Sequence, residues 1–200
     1  MISKMKKLCE MNNEELRRLF PITITEYNKD WPRLYSEEKL HIEKAIGVEN
    51  IFRINHYGST SIPGMIAKPT IDILLEVFEH VENDYIIRKM ESIGYIYSPQ
   101  VDNPPPHMMF LKGYTPEGFK GQAYHVHVRY AGDWDELYFR DYLISNPDLA
   151  ERYGKLKLEL KKIYEFNRDG YTEAKSEFIK EATRAAKNEL KGKYVPAFNL

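Results

Sequence analysis

The stretch HYGSTSIPGMIAKPTIDILLEV, residues 56–77, constrains the fold of this chain more than any other. The run of branched apolar residues at 70–78, TIDILLEVF, is typical of a buried β-strand. Pro69 cannot donate a hydrogen bond to a sheet ladder, so it marks the start of that strand. A turn-rich segment precedes it and follows another predicted strand, IFRINHYG at 51–58. The sequence therefore predicts a sheet built around residues 70–78.

Alternating and amphipathic patterns place the other elements. Strand patterns come mostly before residue 131, whereas helical patterns dominate from residue 133 onward. This order predicts an α+β fold, with a mixed β-sheet of about five strands flanked by helices and with C-terminal helices. We expect an N-terminal helical arm at 1–19 and a single domain at 20–200. The further predicted elements are strands at 22–27, 108–114 and 123–130, a turn at 113–122, and helices at 31–46, 84–95, 136–147, 148–165 and 171–193, the last with Thr172 as its cap.

Composition excludes several classes of protein. The net charge is −1, from 29 basic and 30 acidic side chains. The net charge therefore provides no electrostatic attraction to nucleic acid or to an anionic membrane. Cys9 is the single cysteine, which excludes an intramolecular disulfide and a zinc site made of several cysteines. Apolar runs are far shorter than the roughly 20 residues of a membrane helix. We therefore expect a cytoplasmic protein without a membrane partner.

The segment Gly58–Ser61 has two interpretations. Glycine allows a sharp turn and a close approach to a ligand, and consecutive N–H groups with Ser59, Thr60 and Ser61 could cradle phosphate oxygens. The spacing of a Walker loop is absent. The alternative is an ordinary turn whose hydroxyl groups bond to their own backbone.

Asp72 is unusual because it lies early in an apolar strand. A buried carboxylate is costly unless it is paired or binds a metal. It could pair with Lys68 or an arginine, or it could bind a metal together with ligands from a neighbouring strand. Glu76 faces the same way but lies about 13 Å further along the strand, too far to share one ion. We expect Glu76 to be solvated at the far end of the strand.

The predicted strand at 123–130 places His125 and His127 on one face. If it lies beside the Asp72 strand, one imidazole could bind the metal or act as a base. Two histidines and one carboxylate would favour a transition metal over Mg²⁺. Alternatively, both histidines are structural. The orientation of His56 stays open, and Lys175 is expected to be an exposed helical lysine.

HYGSTSIPGMIAKPTIDILLEV resembles the signature of the GrpB family, which belongs to the nucleotidyltransferase superfamily. The segments ITITEYNKDWPRLYSEEK, YHVHV, FRDYLISNPDLAERYGKLK and YTEAKSEFIKEA resemble other family segments in the same order, over roughly residues 20–185. The resemblance implies a nucleotidyltransferase-like sheet. It also implies metal-dependent transfer of a nucleoside monophosphate from a nucleoside triphosphate to an unknown acceptor.

The superfamily pattern is a Gly-Ser turn after one strand and an Asp-x-Asp/Glu pair on the next. Gly58 and Ser59 match the turn, and Asp72 matches the first metal carboxylate. Leu74 stands where the second carboxylate would be, which is a departure from the pattern. The predicted site residues are Asp72, His125 and His127 for catalysis, Gly58, Ser59, Thr60, Ser61 and Lys68 for phosphate, and Asp72 with His127 for a divalent metal, either Mg²⁺, Mn²⁺ or a transition metal.

Two other functions stay open. The missing carboxylate at Leu74 favours a catalytically degenerate nucleotide-binding or accessory module, for which the resemblance suggests a link to coenzyme A metabolism. A third interpretation is a scaffold whose cleft is a relic. The expected partner is a nucleotide or another small molecule, and no basic stripe with interleaved aromatic residues predicts specific nucleic-acid binding.

Overall fold

The computed structural model describes residues 6–100 and 106–197. Within these residues, five strands form one mixed sheet in the order β1-β2-β5-β4-β3. The central strands β2 and β5 are parallel, and the other neighbouring pairs are antiparallel. The predicted α+β fold with a mixed sheet is therefore confirmed. The strands are β1 (Ile51–Tyr57), β2 (Thr70–Val77), β3 (Ile96–Pro99), β4 (Met108–Thr115) and β5 (Gly118–Tyr130).

Helices cover both faces of the sheet. Short 3₁₀ turns occur at Leu8–Glu10, Val48–Asn50 and Ser59–Ser61. Among the described residues, no helix is both long enough and apolar enough to cross a lipid bilayer. The α-helices are α1 (Asn13–Leu19), α2 (Trp31–Ile46), α3 (Asn83–Ser92), α4 (Asp135–Ser145), α5 (Pro147–Tyr164), α6 (Arg168–Glu173) and α7 (Ser176–Glu189).

Strand alternation divides the central strands between two faces. Ile71, Ile73 and Leu75 of β2 are buried in the main apolar core, against residues of α2 and α3 such as Ile42 and Met90. The alternate positions of β2 point to the opposite face, since Leu74 packs in a separate cluster with Leu137 and Tyr138 of α4 and with Ala186 of α7. The C-terminal helices therefore cover the face that carries the polar residues of β2 and β5.

The predicted strand at 22–27 is wrong. Within this segment, one isolated bridge joins Thr25 to Ala67. Ile22 is 2% exposed and packs with Leu160 and Tyr171, and its N–H donates to the carbonyl of Glu165. The alternating pattern thus reflects packing against the C-terminal helices instead of sheet pairing.

Two other boundaries differ from the prediction. The predicted last helix is two helices, because α6 ends at Glu173 and α7 begins at Ser176, with a turn at Ala174 and Lys175 between them. The N-cap of α6 is Asn167, whose side chain accepts the Gly170 N–H, and Thr172 lies inside that helix. The predicted turn at 113–122 is much shorter: β4 and β5 form a hairpin, and the residues from Gly118 onward belong to β5.

Candidate functional site

The parallel pairing of β2 and β5 brings the predicted polar residues together. Asp72 is the register partner of His125, and Leu74 is the register partner of His127. All four positions face the C-terminal helices, because side chains alternate along both strands. The sequence pattern predicted that both histidines share a face, and the parallel register adds the carboxylate to that face.

Asp72, His125 and His127 form a group that could hold a metal ion. Each side chain offers one ligand atom, and the three atoms lie within 4.8 Å of one another. The Nδ1 atom of His125 is 3.4 Å from Oδ1 of Asp72, and its Nε2 atom is 2.7 Å from the hydroxyl of Tyr114. Tyr114 therefore orients the His125 ring with Nδ1 toward the carboxylate, as an outer partner of a metal ligand does.

The protonation states suit metal binding. Burial lowers the pKa of His127 to about 4, so its ring is neutral near pH 7 and keeps a lone pair. Burial acts to raise the pKa of Asp72, but the hydrogen bond from His125 and the electrostatic attraction of His125, His127 and Lys68 outweigh it, and the pKa lies below its ordinary value. A carboxylate and two imidazoles of this kind are donors that a divalent transition metal accepts.

Gly58 brings the turn after β1 directly against Asp72. Its φ is 72°, a conformation that favours glycine, and a Cβ atom there would overlap Oδ2 of Asp72 and stand 3.0 Å from the Cβ and Cγ atoms of the same residue. The turn thus approaches the carboxylate as closely as a residue without a side chain allows. This is the Gly-Ser turn that the resemblance predicted.

The three hydroxyl groups of the turn have different surroundings. Thr60 is 1% exposed, donates to the carbonyl of Thr70 over 3.1 Å and contacts Nε2 of His56 at 2.9 Å. Ser61 donates to the carbonyl of Gly58 over 2.6 Å. These two hydroxyl groups hold the turn together. Ser59, in contrast, lines a cavity beside Asp72.

This cavity, called the site cavity below, has a volume of about 840 Å³. Its floor is the turn and Asp72, and one wall is the face of α7. Lys187 of that wall pairs with Asp135 at 2.5 Å. Lys180 and Arg184 have no ion-pair partner among the residues that the structure describes. The cavity is lined by Tyr57, Gly58, Ser59, Asp72, Asp133, Trp134, Asp135, Glu136, Phe139, Tyr153, Lys175, Ile179, Lys180, Thr183, Arg184 and Lys187.

Two lysines near the turn were not predicted as site residues. Lys175, expected to be exposed, lines the cavity at the break between α6 and α7, and burial lowers its pKa to about 8 although the charge of Asp72 opposes this. Lys157 of α5 is 3% exposed, and its Nζ atom donates to Oγ of Ser59 over 3.0 Å and to the carbonyl of Ile66. No local pattern in the sequence distinguishes either lysine, since both lie within predicted helices.

Lys68 and His56 lie outside the site cavity. Lys68 lines a separate pocket with Pro69 and Gln122. Burial and the charge of Arg168 lower its pKa to about 8, although the charge of Asp72 acts in the opposite direction. His56 stacks on Tyr35 with ring centroids 4.8 Å apart, and burial lowers the pKa of its imidazole to about 4.

The expectation that Glu76 is solvated is wrong. Glu76 is fully buried and accepts two hydrogen bonds from Arg53, at 2.6 and 2.7 Å, and one from the N–H of Gly132 at 3.1 Å. Arg53 is its neighbour on β1. Glu76 is thus part of a structural ion pair, separate from the metal group.

The position of the absent second carboxylate is part of an apolar cluster. Leu74 is fully buried against Leu137 and Tyr138. Its register partner His127 offers a ring nitrogen within 4.8 Å of the Asp72 ligand atom. A histidine from β5 thus lies where it could supply the second ligand.

Comparisons with known proteins show the family of this chain. The family model described as "GrpB protein" matches residues 21–185. UPF0157 protein YqkA of Bacillus subtilis (strain 168) is 34% identical over 175 residues, which are 86% of this chain and 49% of that protein. The glutamate-rich protein GrpB of Alkalihalophilus pseudofirmus is 34% identical over 80% of this chain and 92% of its own length. The chain spans about half the length of YqkA but nearly all of this second relative.

A crystal structure of the conserved protein GrpB from Enterococcus faecalis has a similar fold. It aligns with a TM-score of 0.73 and 31% identity, covering 84% of this chain and 98% of the other. The family model, the curated relatives and the solved structure lead to one conclusion. The chain belongs to the GrpB family.

Proposed function

We propose that this chain is a metal-dependent nucleotidyltransferase, which transfers a nucleoside monophosphate from a nucleoside triphosphate to an acceptor. One observation carries the proposal. The Gly58–Ser59 turn lies directly against Asp72, and Asp72 lies within 4.8 Å of ligand atoms from two histidines. A phosphate held by the turn would therefore be next to a metal held by the carboxylate.

The metal would be held by Asp72, His127 and Nδ1 of His125. A bound divalent ion supplies charge neutralisation to the phosphates and polarises the phosphorus under attack. Tyr114 would accept the Nε2–H of His125 and so keep the Nδ1 lone pair directed at the ion. Without metal, the opposite tautomer fits the same contacts, with Nδ1–H donating to Asp72 and Tyr114 donating to Nε2.

The phosphates would be held by Ser59, by the backbone of the turn and by Lys175. In the reaction, the acceptor hydroxyl oxygen forms a bond to the α-phosphorus and its proton passes to solvent, while the bond from that phosphorus to the bridging oxygen breaks and pyrophosphate leaves. The cavity volume of about 840 Å³ is in the range of small-molecule sites. The acceptor is a small molecule or a protein hydroxyl.

One observation favours a second candidate, a module that binds a nucleotide without turning it over. Leu74 occupies the position of the second carboxylate and packs in an apolar cluster. The group that could hold a metal therefore has one carboxylate, that of Asp72. A single carboxylate is a weak site for Mg²⁺. An accessory role linked to coenzyme A metabolism belongs to this candidate.

The two candidates differ in their response to metal. The measurement is thermal unfolding of the full chain with each of four nucleoside triphosphates and with coenzyme A precursors, in the presence of Mg²⁺, Mn²⁺, Zn²⁺ or a chelator. A ligand at 100 times its Kd adds about 2.7 kcal/mol to the free energy of unfolding. We expect a shift for one triphosphate that requires metal, followed by release of pyrophosphate when the acceptor is supplied.

Asp72→Asn tests the site assignment in the same assay. It should abolish the metal-dependent part of the shift, because the amide is neutral and a poorer metal ligand. The control is Asp148→Asn, a change at an exposed position in the first turn of α5. A shift that ignores metal would support the binding module. No shift with any triphosphate, or an undiminished shift in Asp72→Asn, would contradict the transferase.

A further inference from the structure

Lys157 is a buried lysine that the reaction above does not use. Its side chain is 3% exposed, and no carboxylate within the described residues pairs with it. The Nζ atom lies 4.8 Å from the centroid of the Tyr153 ring and donates to Ser59 and to the carbonyl of Ile66. Burying an ammonium group without a counter-ion is costly, so its position requires a reason.

The contact between Lys157 and Ser59 determines how the serine can bond. A hydroxyl group has one hydrogen and two lone pairs, whereas an ammonium group can only donate. With Lys157 donating over 3.0 Å, Oγ of Ser59 is an acceptor on that side, and its own hydrogen points elsewhere. Since Ser59 lines the site cavity, that hydrogen is available to an acceptor in the cavity.

The neighbouring hydroxyl groups show the contrast. Ser61 donates its hydrogen to the carbonyl of Gly58, and Thr60 donates to the carbonyl of Thr70. Both hydrogens are used inside the protein. Among the hydroxyl groups of the turn, the one that Lys157 contacts is thus the one whose hydrogen is free to reach a ligand.

We propose that Lys157 is a positioning residue, which fixes the Ser59 hydroxyl as a donor to a phosphate oxygen of an oligophosphate ligand in the site cavity. The inference rests on the proposed function for the identity of the ligand. Lys157 acts through Ser59 and does not touch the phosphate, because it is buried behind the serine. Lys175 would contact the phosphates directly.

Electrostatics agree with an anionic ligand. Burial and, to a smaller extent, the charge of the nearby Lys175 lower the pKa of Lys157 to about 7. An anion beside Ser59 and Lys175 would favour the ammonium form of Lys157 and so strengthen its donation to Ser59. Ligand binding and protonation of Lys157 therefore favour each other.

The test is a double-mutant cycle on oligophosphate binding. Inorganic tripolyphosphate is titrated by calorimetry, with a chelator present, into the wild type, Lys157→Met, Ser59→Ala and the double variant. Each single change should weaken binding about tenfold, the size of one hydrogen bond to a charged group. The double variant should bind as tightly as Ser59→Ala does, because Lys157 affects the ligand only through the serine hydroxyl.

Two further variants complete the design. Lys162→Met, at an exposed position of α5, is the matched control and should bind as the wild type does. Lys157→Gln keeps a neutral donor and should retain part of the affinity. It also takes the place of Lys157→Met in the cycle if that variant fails to unfold cooperatively.

Three results would overturn the inference: wild-type affinity in the Lys157 variant, losses that multiply in the double variant, or no tripolyphosphate binding by the wild type. Multiplied losses are what a merely structural role of Lys157 would produce. The pyrophosphate-release assay judges the proposed function separately. A chain that binds tripolyphosphate as expected but transfers nothing would support this inference and not the transferase.

Discussion

At the scale of single residues, His127 is the side chain that could take the place of the missing second carboxylate as a metal ligand. Leu74 packs in the apolar cluster with residues of α4. Its register partner, His127, offers a ring nitrogen in place of the missing carboxylate. Replacing a carboxylate by a neutral imidazole makes the ligand set less negative and less hard. Such a set discriminates against Mg²⁺, which prefers oxygen ligands, and favours metals that accept nitrogen.

We therefore expect the wild type to bind Zn²⁺ or Mn²⁺ more tightly than Mg²⁺, and His127→Gln to weaken transition-metal binding at least tenfold. Calorimetric titration of the metals alone measures both effects. His80→Gln, at an exposed position, is the control. Tighter binding of Mg²⁺ than of either other ion, or unchanged affinity in His127→Gln, would show that the histidine is not a ligand.

The buried pair of Glu76 and Arg53 leads to a prediction about stability. Arg53→Met would leave the Glu76 carboxylate buried with the Gly132 N–H as its remaining partner. Breaking a buried pair in this way costs about 3–5 kcal/mol, because an uncompensated charge stays in the interior. Urea unfolding at pH 7 measures the loss. Arg33→Met, which removes an exposed pair with Glu37, should change stability little, and equal effects of the two changes would contradict the prediction.

At the scale of elements, the turn after β1 brings Gly58 close to Asp72. The effect of this close approach can be measured separately from the effect of backbone strain. Gly58 and Gly64 both have positive φ, 72° and 76°, but a Cβ atom meets Asp72 at the first and nothing within 4 Å at the second. Gly64→Ala therefore measures the cost of the conformation alone, about 1 kcal/mol. Gly58→Ala adds displacement of the carboxylate.

We expect only Gly58→Ala to lose metal binding, by tenfold or more. Thermal unfolding and metal titration of the two variants provide the comparison. Equal metal affinities in the two variants would mean that the turn does not constrain Asp72.

Local patterns predicted four of the five strands, all but β3, together with the shared face of His125 and His127 and the Gly-Ser turn, because each depends on residues close together in the sequence. They did not predict Lys157, since its contact with Ser59 spans 98 positions. They placed Glu76 in solvent because the pairing arginine lies on another strand. The strand predicted at 22–27 was wrong for a related reason. An alternating pattern indicates which residues are buried, but it does not indicate whether a sheet or a helix packs against them.

At the scale of the whole molecule, the sheet separates an apolar face from a face rich in buried polar groups. The first is covered by α2 and α3, and the second carries the metal group and the cavity. Burial on the second face favours neutral forms of basic side chains, which lowers the pKa of His127 to about 4, that of Lys157 to about 7 and that of Lys175 to about 8. Stability and pH must therefore be linked.

The sign follows from the histidines. Burial lowers the pKa of His56 and of His127 to about 4, against about 6.5 in an unfolded chain. Between these values the unfolded chain binds more protons than the native protein, so the free energy of unfolding falls as the pH is lowered from about 6.5 to about 4. The stability is fully present above pH 6.5, and below pH 4 these two groups contribute no further change.

We expect the metal-free protein to lose a few kcal/mol of stability over this window, measured by urea unfolding at successive pH values with a chelator present. His56→Gln can still contact Thr60 but cannot titrate, so its stability should depend less steeply on pH. The control is His41→Gln, whose side chain is 63% exposed, and it should retain the wild-type slope. If His56→Gln also retains that slope, acid sensitivity does not arise from this buried imidazole, and the neutral state assigned to it is wrong.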